Sequence, residues 1–292
     1  MTVVICKVAD RYVNPLFEVF DGGDFILSSY KDIEADDSEM RIYFEDPADT
    51  PRAKQALIEA GEIIGLELSP EDQTFPDEDW TLAYRRHFKI EVISPRLAIR
   101  PPWEEYTPTE GQKVLTLDPG MAFGTGQHAT TRACLEFIDR LAVENTDRTF
   151  LDIGCGSGIL GVAAVLEGFK GVAGFDIDPE AVKVANETAL QNGVGEIFTR
   201  GDLCNVSTLP DVQAPDHRYD VVAANVLGPV LIDFADEIVR TVQTSPDARL
   251  ILSGILDEIF QDVVDAYEKR NFRLVESMTI GEWTSGVFAP KA

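Results

Sequence analysis

Histidine and cysteine are scarce in this chain of 292 residues, at three and four respectively. The cysteines, Cys6, Cys134, Cys155 and Cys204, lie far apart and form no C-x-x-C. They suit neither a zinc cage nor a disulfide framework and read as free thiols of a reducing cytoplasm. With so few histidines there is no Ser-His-Asp set and no metal-ligand cluster, so no metal is expected. No apolar run approaches the ~20 residues of a membrane span, and no basic stretch leads into an apolar one at the N-terminus. Neither a membrane span nor a secretion signal is expected, and the localisation read from this is cytoplasmic. Positive charge is the other shortage: 25 basic residues stand against 51 acidic ones, for a net charge of −26. Residues 1–79 alone hold 20 of the acids and 6 of the bases. Such a surface repels nucleic-acid phosphates and attracts a basic protein, or serves only to keep the chain in solution.

What is present is an ordinary globular composition, 45% hydrophobic, in a chain long enough for two domains with their own cores. Its most informative segment is LDIGCGSG, Leu151–Gly158, which follows an apolar strand start and precedes ILGVAAVLEG. A strand therefore runs into a glycine loop that opens a helix, the place where an α/β sheet holds a nucleotide-like cofactor. Eighteen residues beyond Gly158, GVAGFDIDP supplies a second strand ending in Asp176.

The glycine spacing narrows the cofactor. A dinucleotide fingerprint, G-x-G-x-x-G, would place its third glycine at position 159, which is Ile159. The pattern here is G-x-G-x-G, Gly154, Gly156 and Gly158, with Asp152 just ahead of it, where a diphosphate would want positive charge. S-adenosylmethionine has no phosphate but carries an amine and a sulfonium, which suit acidic side chains and carbonyls around the turn. Asp176 is placed to accept hydrogen bonds from both ribose hydroxyls. The competing reading is a structural glycine turn, with Asp176 capping the helix that begins near Pro179.

The coarse layout is two domains. Thr2–Val8 alternates like a strand, Arg11–Phe20 reads as a short helix, and Asp24–Ser29 with Met40–Glu45 reads as a hairpin pair. Pro51 opens a helix through Ala60 that Gly61 ends, and Ile63–Leu68 gives a last strand. This β-α-β-β-α-β order is a split two-layer domain of ferredoxin type. The stretch SPEDQTFPDED reads as a linker. A short helix over Trp80–Phe88 and strands near Lys89–Ile93 and Leu97–Ile99 follow. Strands near 149–153, 172–176, 219–224 and 249–253 then alternate with helices, the mark of a doubly wound, mostly parallel sheet covered on both faces. The expected domains are 1–70, a linker with connecting elements over 71–110, and a catalytic domain over 111–292.

Several further segments carry a resemblance. They are LDPGMAFGTGQHATT at Leu117–Thr131, DVVAANVL at Asp220–Leu227, FDIDPEAV, LSGIL at Leu252–Leu256 and the Glu282–Trp283 pair. With LDIGCGSGIL they closely resemble the bacterial ribosomal protein L11 methyltransferases, the PrmA family. The resemblance runs from about Trp80 to Trp283 and is specific in the DPG-AFGTG-H-TT stretch. Before Trp80 it is one of layout. It implies a class I S-adenosylmethionine-dependent methyltransferase acting on lysine ε-amines and the N-terminal α-amine of ribosomal protein L11, with the small domain recognising that protein.

The same resemblance assigns site residues. The loop from Phe123 through Gly124 and Thr125 to His128 folds over the methionine end of the cofactor, and Thr131 contacts it. Gly154 makes a backbone contact, with Asp152 and Gly156 in the same loop, and Asp176 holds the ribose. Asp202 lies beside the adenine amino group or in a plain surface turn. Thr130 and Thr131 begin a helix, where hydroxyls cap free N–H groups. Asn225, at the carboxyl end of its strand, is the candidate catalytic residue and sits by the cofactor as well. Its carbonyl and a neighbouring backbone carbonyl can hold an amine and aim its lone pair at the methyl. Adenine-directed enzymes follow this position with Pro-Pro and a stacking aromatic, whereas here Val226, Leu227 and Gly228 follow, which disfavours DNA. Gly228 departs from the family's usual alanine and is expected to alter the acceptor rim.

Methyl transfer to an amine demands alignment and a deprotonated nucleophile. A lysine with a pKa near 10.4 needs roughly 4.6 kcal/mol for deprotonation at pH 7, and an α-amine near 7.8 only about 1. Desolvation beside a sulfonium lowers either cost, so no strong base is required. His128 is the nearest candidate base, with ordering of its loop as the alternative role. Two other readings stay open: an amine methyltransferase with another protein or small-molecule acceptor, and a cofactor-binding module without turnover.

Overall fold

The computed structural model describes residues 2–20, 25–30, 37–44, 47–74, 88–118, 128–205, 209–210 and 217–291. The chain divides into two compact units, Met1–His87 and Phe88–Ala292.

In the first unit β1 (Thr2–Ala9) pairs antiparallel with β3 (Asp37–Phe44), and β3 pairs with β2 (Ile26–Tyr30). Alternate residues Val4, Cys6 and Val8 of β1 and Met40, Ile42 and Phe44 of β3 are buried. They form one cluster with Leu16 of α1 (Val13–Phe20) and with Ala53, Leu57 and Ala60 of α2 (Thr50–Ile63). Period 2 on the strands thus meets a helical stripe, which is what makes a two-layer unit.

Two local expectations change. Gly61 does not end α2 but lies inside it: a Cβ there would stand 2.6 Å from the Leu66 carbonyl oxygen and 2.8 Å from Leu68 Cγ. The glycine lets the chain fold back tightly over the helix. Ile63–Leu68 is therefore the helix end and its return turn, with Gly65 at φ +73, and the last strand is β4, Glu71–Thr74, paired with Thr2–Ile5 of β1. That strand falls in the stretch read as a linker. Its residues are poor strand formers, and the hydrogen bonds of the β1 edge define it rather than propensity; acidic side chains also suit an edge. The short helix expected over Trp80–Phe88 lies outside the described residues except for Phe88.

The second unit opens with a three-stranded sheet in which β6 (Leu97–Arg100) pairs antiparallel with β5 (Glu91–Val92) and parallel with β7 (Lys113–Thr116). Its main sheet has seven strands in the order β10-β9-β8-β11-β12-β14-β13. These are β8 (Phe150–Ile153), β9 (Val172–Asp176), β10 (Phe198–Arg200), β11 (Val221–Asn225), β12 (Arg249–Leu256), β13 (Phe272–Ile280) and β14 (Trp283–Pro290). The first five run parallel, and the last two form an antiparallel hairpin at one side. Helices α3 (Ala129–Glu144), α4 (Ile159–Glu167) and α5 (Pro179–Gln191) pack on one face. Helices α6 (Gly228–Asp233), α7 (Ala235–Arg240) and α8 (Asp257–Glu268) pack on the other. This is the doubly wound, mostly parallel sheet expected from the strand and helix alternation.

From the central β8 the chain steps outward through β9 and β10, then returns to β11 on the other side of β8. The strand order reverses between β8 and β11, and an open α/β sheet forms its ligand crevice outside the carboxyl ends of strands at such a reversal. The glycine loop follows β8, and Asn225 ends β11.

Candidate functional site

Three glycines shape the loop after β8. Gly154, Gly156 and Gly158 have φ of 65°, 51° and 77°, a left-handed region that costs other L residues about 1 kcal/mol or more. The N–H groups of Gly154 and Cys155 donate to the Phe175 carbonyl at 2.9 and 3.0 Å, so the loop is latched to the end of β9. Gly158 has a second reason to be glycine. A Cβ on Gly158, on Gly161 of α4 or on Gly174 of β9 would stand 2.8, 2.8 or 2.6 Å from the ring of Phe198. The three glycines form a slot for this ring, which is only 3% exposed. The spacing that distinguishes the loop from a dinucleotide fingerprint is thus partly a packing device. Gly161→Ala is expected to destabilise the protein by about 1–3 kcal/mol despite alanine's better helix propensity, because the ring is held on every side. Urea unfolding checks this, and Phe198→Leu in the same chain should recover part of the loss.

Asp176 closes the loop from the side. Its Oδ2 accepts the Gly156 N–H at 3.0 Å and its Oδ1 the Asp178 N–H at 3.0 Å, leaving each oxygen a further lone pair. It is not the cap of α5. That cap is Asp178, whose Oδ1 accepts the Glu180 N–H at 2.9 Å. Next to Asp176, Ile177 is 63% exposed, an apolar surface at the strand end that sequence reasoning passed over. Its signal was an apolar residue set between two acids just past a strand. Asp202 lies close by, since the preceding Gly201 N–H donates to the Asp176 carbonyl at 3.0 Å. Its own Oδ1 accepts the Cys204 N–H at 2.9 Å, so part of the carboxylate serves a local turn.

Asp152 is placed differently from the expectation. It is 1% exposed, sealed beneath the loop, and its Oδ2 accepts the Gly161 N–H at 3.0 Å in the first turn of α4. It braces the loop from below and does not face the crevice. Burial pushes its carboxyl up to about 7, with the negative charge of Asp176 adding to the rise and the Gly161 N–H opposing it. The folded protein therefore holds a proton that the unfolded chain, titrating near 3.8, has already released. This contribution to stability is full below the unfolded value and is lost as the pH rises through about 7, by up to roughly 4 kcal/mol. Asp152→Asn should flatten that part of the profile. Urea unfolding at pH 5 and pH 8 would show a smaller difference in the variant than in the wild type, and an equal difference would remove Asp152 as its source.

Helix α3 supplies the other wall. His128 is its N-cap: Nδ1 accepts the Thr130 N–H at 3.4 Å and lies 2.8 Å from Thr130 Oγ1. The capping side chain is thus His128 and not a threonine. With Nδ1 accepting, the neutral ring carries its proton on Nε2. The ring also meets Trp283 edge-on, with centroids 5.1 Å apart. These contacts hold the His128 ring at the start of the helix. Thr131 is 1% exposed, and its Oγ1 accepts from Asn225 Nδ2 at 3.4 Å. Ser253 Oγ donates to the Thr130 carbonyl at 3.1 Å and lies 2.7 Å from Ser285 Oγ. The first turn of α3 is in this way fastened to β11, β12 and β14. Phe123, Gly124 and Thr125 lie outside the described residues.

Asn225 and Thr131 are therefore neighbours. A Cβ on Gly154 would stand 2.9 Å from Val226 Cγ1, so the glycine loop and the end of β11 are also in contact. Past Asn225, Leu227 is 64% exposed, whereas Gly228 is buried. A Cβ at Gly228 would stand 2.5 Å from Ile259 Cδ1, so the methyl group missing from residue 228 is replaced by one from α8. This position is core, not the rim that the sequence suggested.

A family model described as Ribosomal protein L11 methyltransferase (PrmA) matches residues 19–290. A ribosomal protein L11 methyltransferase of Ruminiclostridium cellulolyticum is 33% identical over 271 residues, 91% of this chain and 83% of that protein. One of Geobacter sulfurreducens is 40% identical over 262 residues, 87% of this chain and 83% of its own length. The crystal structure of a ribosomal protein L11 methylase from Lactobacillus delbrueckii subsp. bulgaricus superimposes with a TM-score of 0.61 at 30% identity, covering 70% of this chain and all (100%) of that one.

Proposed function

From membership of the ribosomal protein L11 methyltransferase (PrmA) family, to which this chain belongs, we propose that it transfers methyl groups from S-adenosylmethionine to amino groups of ribosomal protein L11, both lysine ε-amines and the N-terminal α-amine. The observation that carries this reading is the meeting of the Asp176-latched glycine loop with Val226, the residue that follows Asn225, at the reversal of the strand order.

The residues fit such a donor. Asp176 keeps two lone pairs for a ribose diol, Ile177 offers an apolar face to a base, and Gly154 leaves the loop without side chain toward Val226. The loop itself contains no Lys or Arg to hold a diphosphate. When bound, S-adenosylmethionine supplies an electrophilic methyl group on a sulfonium. In this reading Thr131 lies along the same crevice, and Asp202 approaches the base end. Asp152 acts only through the loop it supports.

Asn225 holds the acceptor. Its Nδ2 bond to Thr131 fixes the amide, which leaves Oδ1 to accept from an amine. An amine held there would aim its lone pair at the methyl group that the bound donor would supply, and its surplus proton would leave to water. Orientation is the protein's main contribution, and no side-chain base is needed. The acidic first unit, Met1–His87 with 20 acids against 8 bases, suits a basic protein, and we assign it the recognition of L11. Among the described residues no helix is long and apolar enough to cross a membrane; a ribosomal protein as acceptor suits the cytoplasm.

Transfer of labelled methyl from S-adenosylmethionine to L11, compared with L11 whose amines are first acetylated, tests the acceptor class. Label is expected on the native protein and absent from the acetylated one. Equal labelling of both would remove amines as the acceptor.

A further inference from the structure

Apart from the crevice, the second unit holds a cavity of about 320 Å³ on the α6–α7 face of its main sheet, within the size range of small-molecule sites. Leu203 and Leu209 supply its apolar wall. Its polar lining comes from His217 and Arg218, which lead into β11, and from Glu237, Arg240 and Thr241 at the end of α7. Asn225 ends the same strand, roughly 20 Å of extended chain away from Arg218, so this cavity is separate from the crevice. Bases are scarce in the chain, 25 against 51 acids, yet two arginines meet here with one carboxylate. That carboxylate is taken, since Glu237 Oε1 accepts from Arg240 Nη2 at 3.3 Å. Arg218 has no carboxylate partner among the described residues. Its Nη1 donates to the Val242 carbonyl at 3.2 Å, and its own carbonyl accepts from Gln243 Nε2 at 3.1 Å. The guanidinium is thus anchored at one nitrogen and keeps its other N–H groups for a ligand. Thr241 offers no such donor, because its hydroxyl is spent on the Ile238 carbonyl at 2.8 Å. His217 is fixed beside Arg218, with Nδ1–H donating to the Pro210 carbonyl at 3.2 Å. Its φ of 56° is left-handed, which a residue with a Cβ adopts at a cost, and such residues concentrate where chains hold ligands.

We propose that this cavity is a second ligand site, for a small organic carboxylate with an apolar body. The carboxylate lies on Arg218, whose planar fork matches its two oxygens, and the apolar body lies against Leu203 and Leu209. An ammonium group in the same place would meet two guanidinium groups and be repelled. A phosphate would bring a second negative charge close to Glu237, so a single negative charge suits the lining better. A neutral ligand of the same shape keeps the contact with the leucines but forgoes the charge-assisted hydrogen bonds.

The test titrates the full chain with cyclohexanecarboxylate and with its neutral isostere cyclohexanecarboxamide, in wild type, Arg218→Gln and Arg273→Gln. Arg273 is an exposed arginine of the edge strand β13 and does not line the cavity. The wild type is expected to bind the acid with a Kd below about 1 mM and the amide at least about tenfold more weakly. Arg218→Gln should lose at least about tenfold in affinity for the acid, while Arg273→Gln keeps the wild-type value. No binding of the acid by the wild type, or equal affinity for acid and amide, overturns the inference. An acid affinity untouched by Arg218→Gln overturns it as well. Should Arg218→Gln not fold, the backbone amide signals of the wild type decide. Those of Leu203, Arg218 and Thr241 should move as the acid is added, while those of Gly156 and Asn225 stay. Signals of Leu203, Arg218 and Thr241 that stay still overturn the inference. None of these outcomes depends on methyl transfer to L11.

Discussion

Asp176→Ala is expected to weaken S-adenosylmethionine binding by about 100- to 10,000-fold, through the loss of two charge-assisted hydrogen bonds worth about 1.5–3 kcal/mol each. The size follows from what the carboxylate does in the folded chain. It already holds the Gly156 and Asp178 N–H groups, one on each oxygen, so it is oriented before any ligand arrives and little ordering cost is left at binding. Asp176→Asn separates charge from geometry. One amide end can still accept a hydrogen bond but the other cannot, so an intermediate loss is expected. Because Asp176 also pushes up the carboxyl of buried Asp152, both substitutions should ease ionisation beneath the loop. Calorimetric titration measures the affinities, and an Asp176→Ala protein that binds within about threefold of the wild type would take this residue out of the site.

Asn225→Ala is expected to lower kcat on L11 by about 100-fold or more, with cofactor affinity changed by less than about threefold. The residue stands at the carboxyl end of β11 with its amide held by Thr131, whose own helix turn is fixed through Ser253 and Ser285. Truncation removes the oxygen that orients the acceptor and leaves the Asp176 side of the crevice intact. Thr131→Val is an instructive companion. It retains the shape of residue 131 but frees the Asn225 amide to flip, so part of the same loss should appear without any change at Asn225. Steady-state kinetics with L11 as the varied substrate separate the two effects, and wild-type turnover in Asn225→Ala would end its role as acceptor.

The strand, glycine loop and helix order of the second unit was legible because parallel strands buried on both faces read as short apolar runs between helical stretches, as Phe150–Ile153 and Val221–Ala224 do. What the sequence hid was set by contacts distant in the chain. Phe198 explains Gly158, Gly161 and Gly174 only once β10 is laid beside β9. Ile259 fills the space at Gly228 from a helix some thirty residues later. The cap of α5 is Asp178 rather than Asp176, a distinction between two acids two residues apart that depends on backbone geometry and not on composition. Asp152 was read as suiting the cofactor's positive groups because its charge stands just ahead of the glycine turn; the fold places it instead beneath the loop, on the N–H of Gly161. Strand β4 escaped because EDQT has no strand propensity of its own, and only its pairing with β1 makes it one.

Intact-mass analysis of purified, unmethylated ribosomal protein L11 after incubation with the enzyme and S-adenosylmethionine tests the central claim most directly, with Asn225→Ala run alongside. The account predicts mass gains in whole methyl steps with the wild type and almost none with the variant over the same time. An L11 mass that stays unchanged while the wild-type enzyme demonstrably binds the cofactor would contradict the assignment of the acceptor.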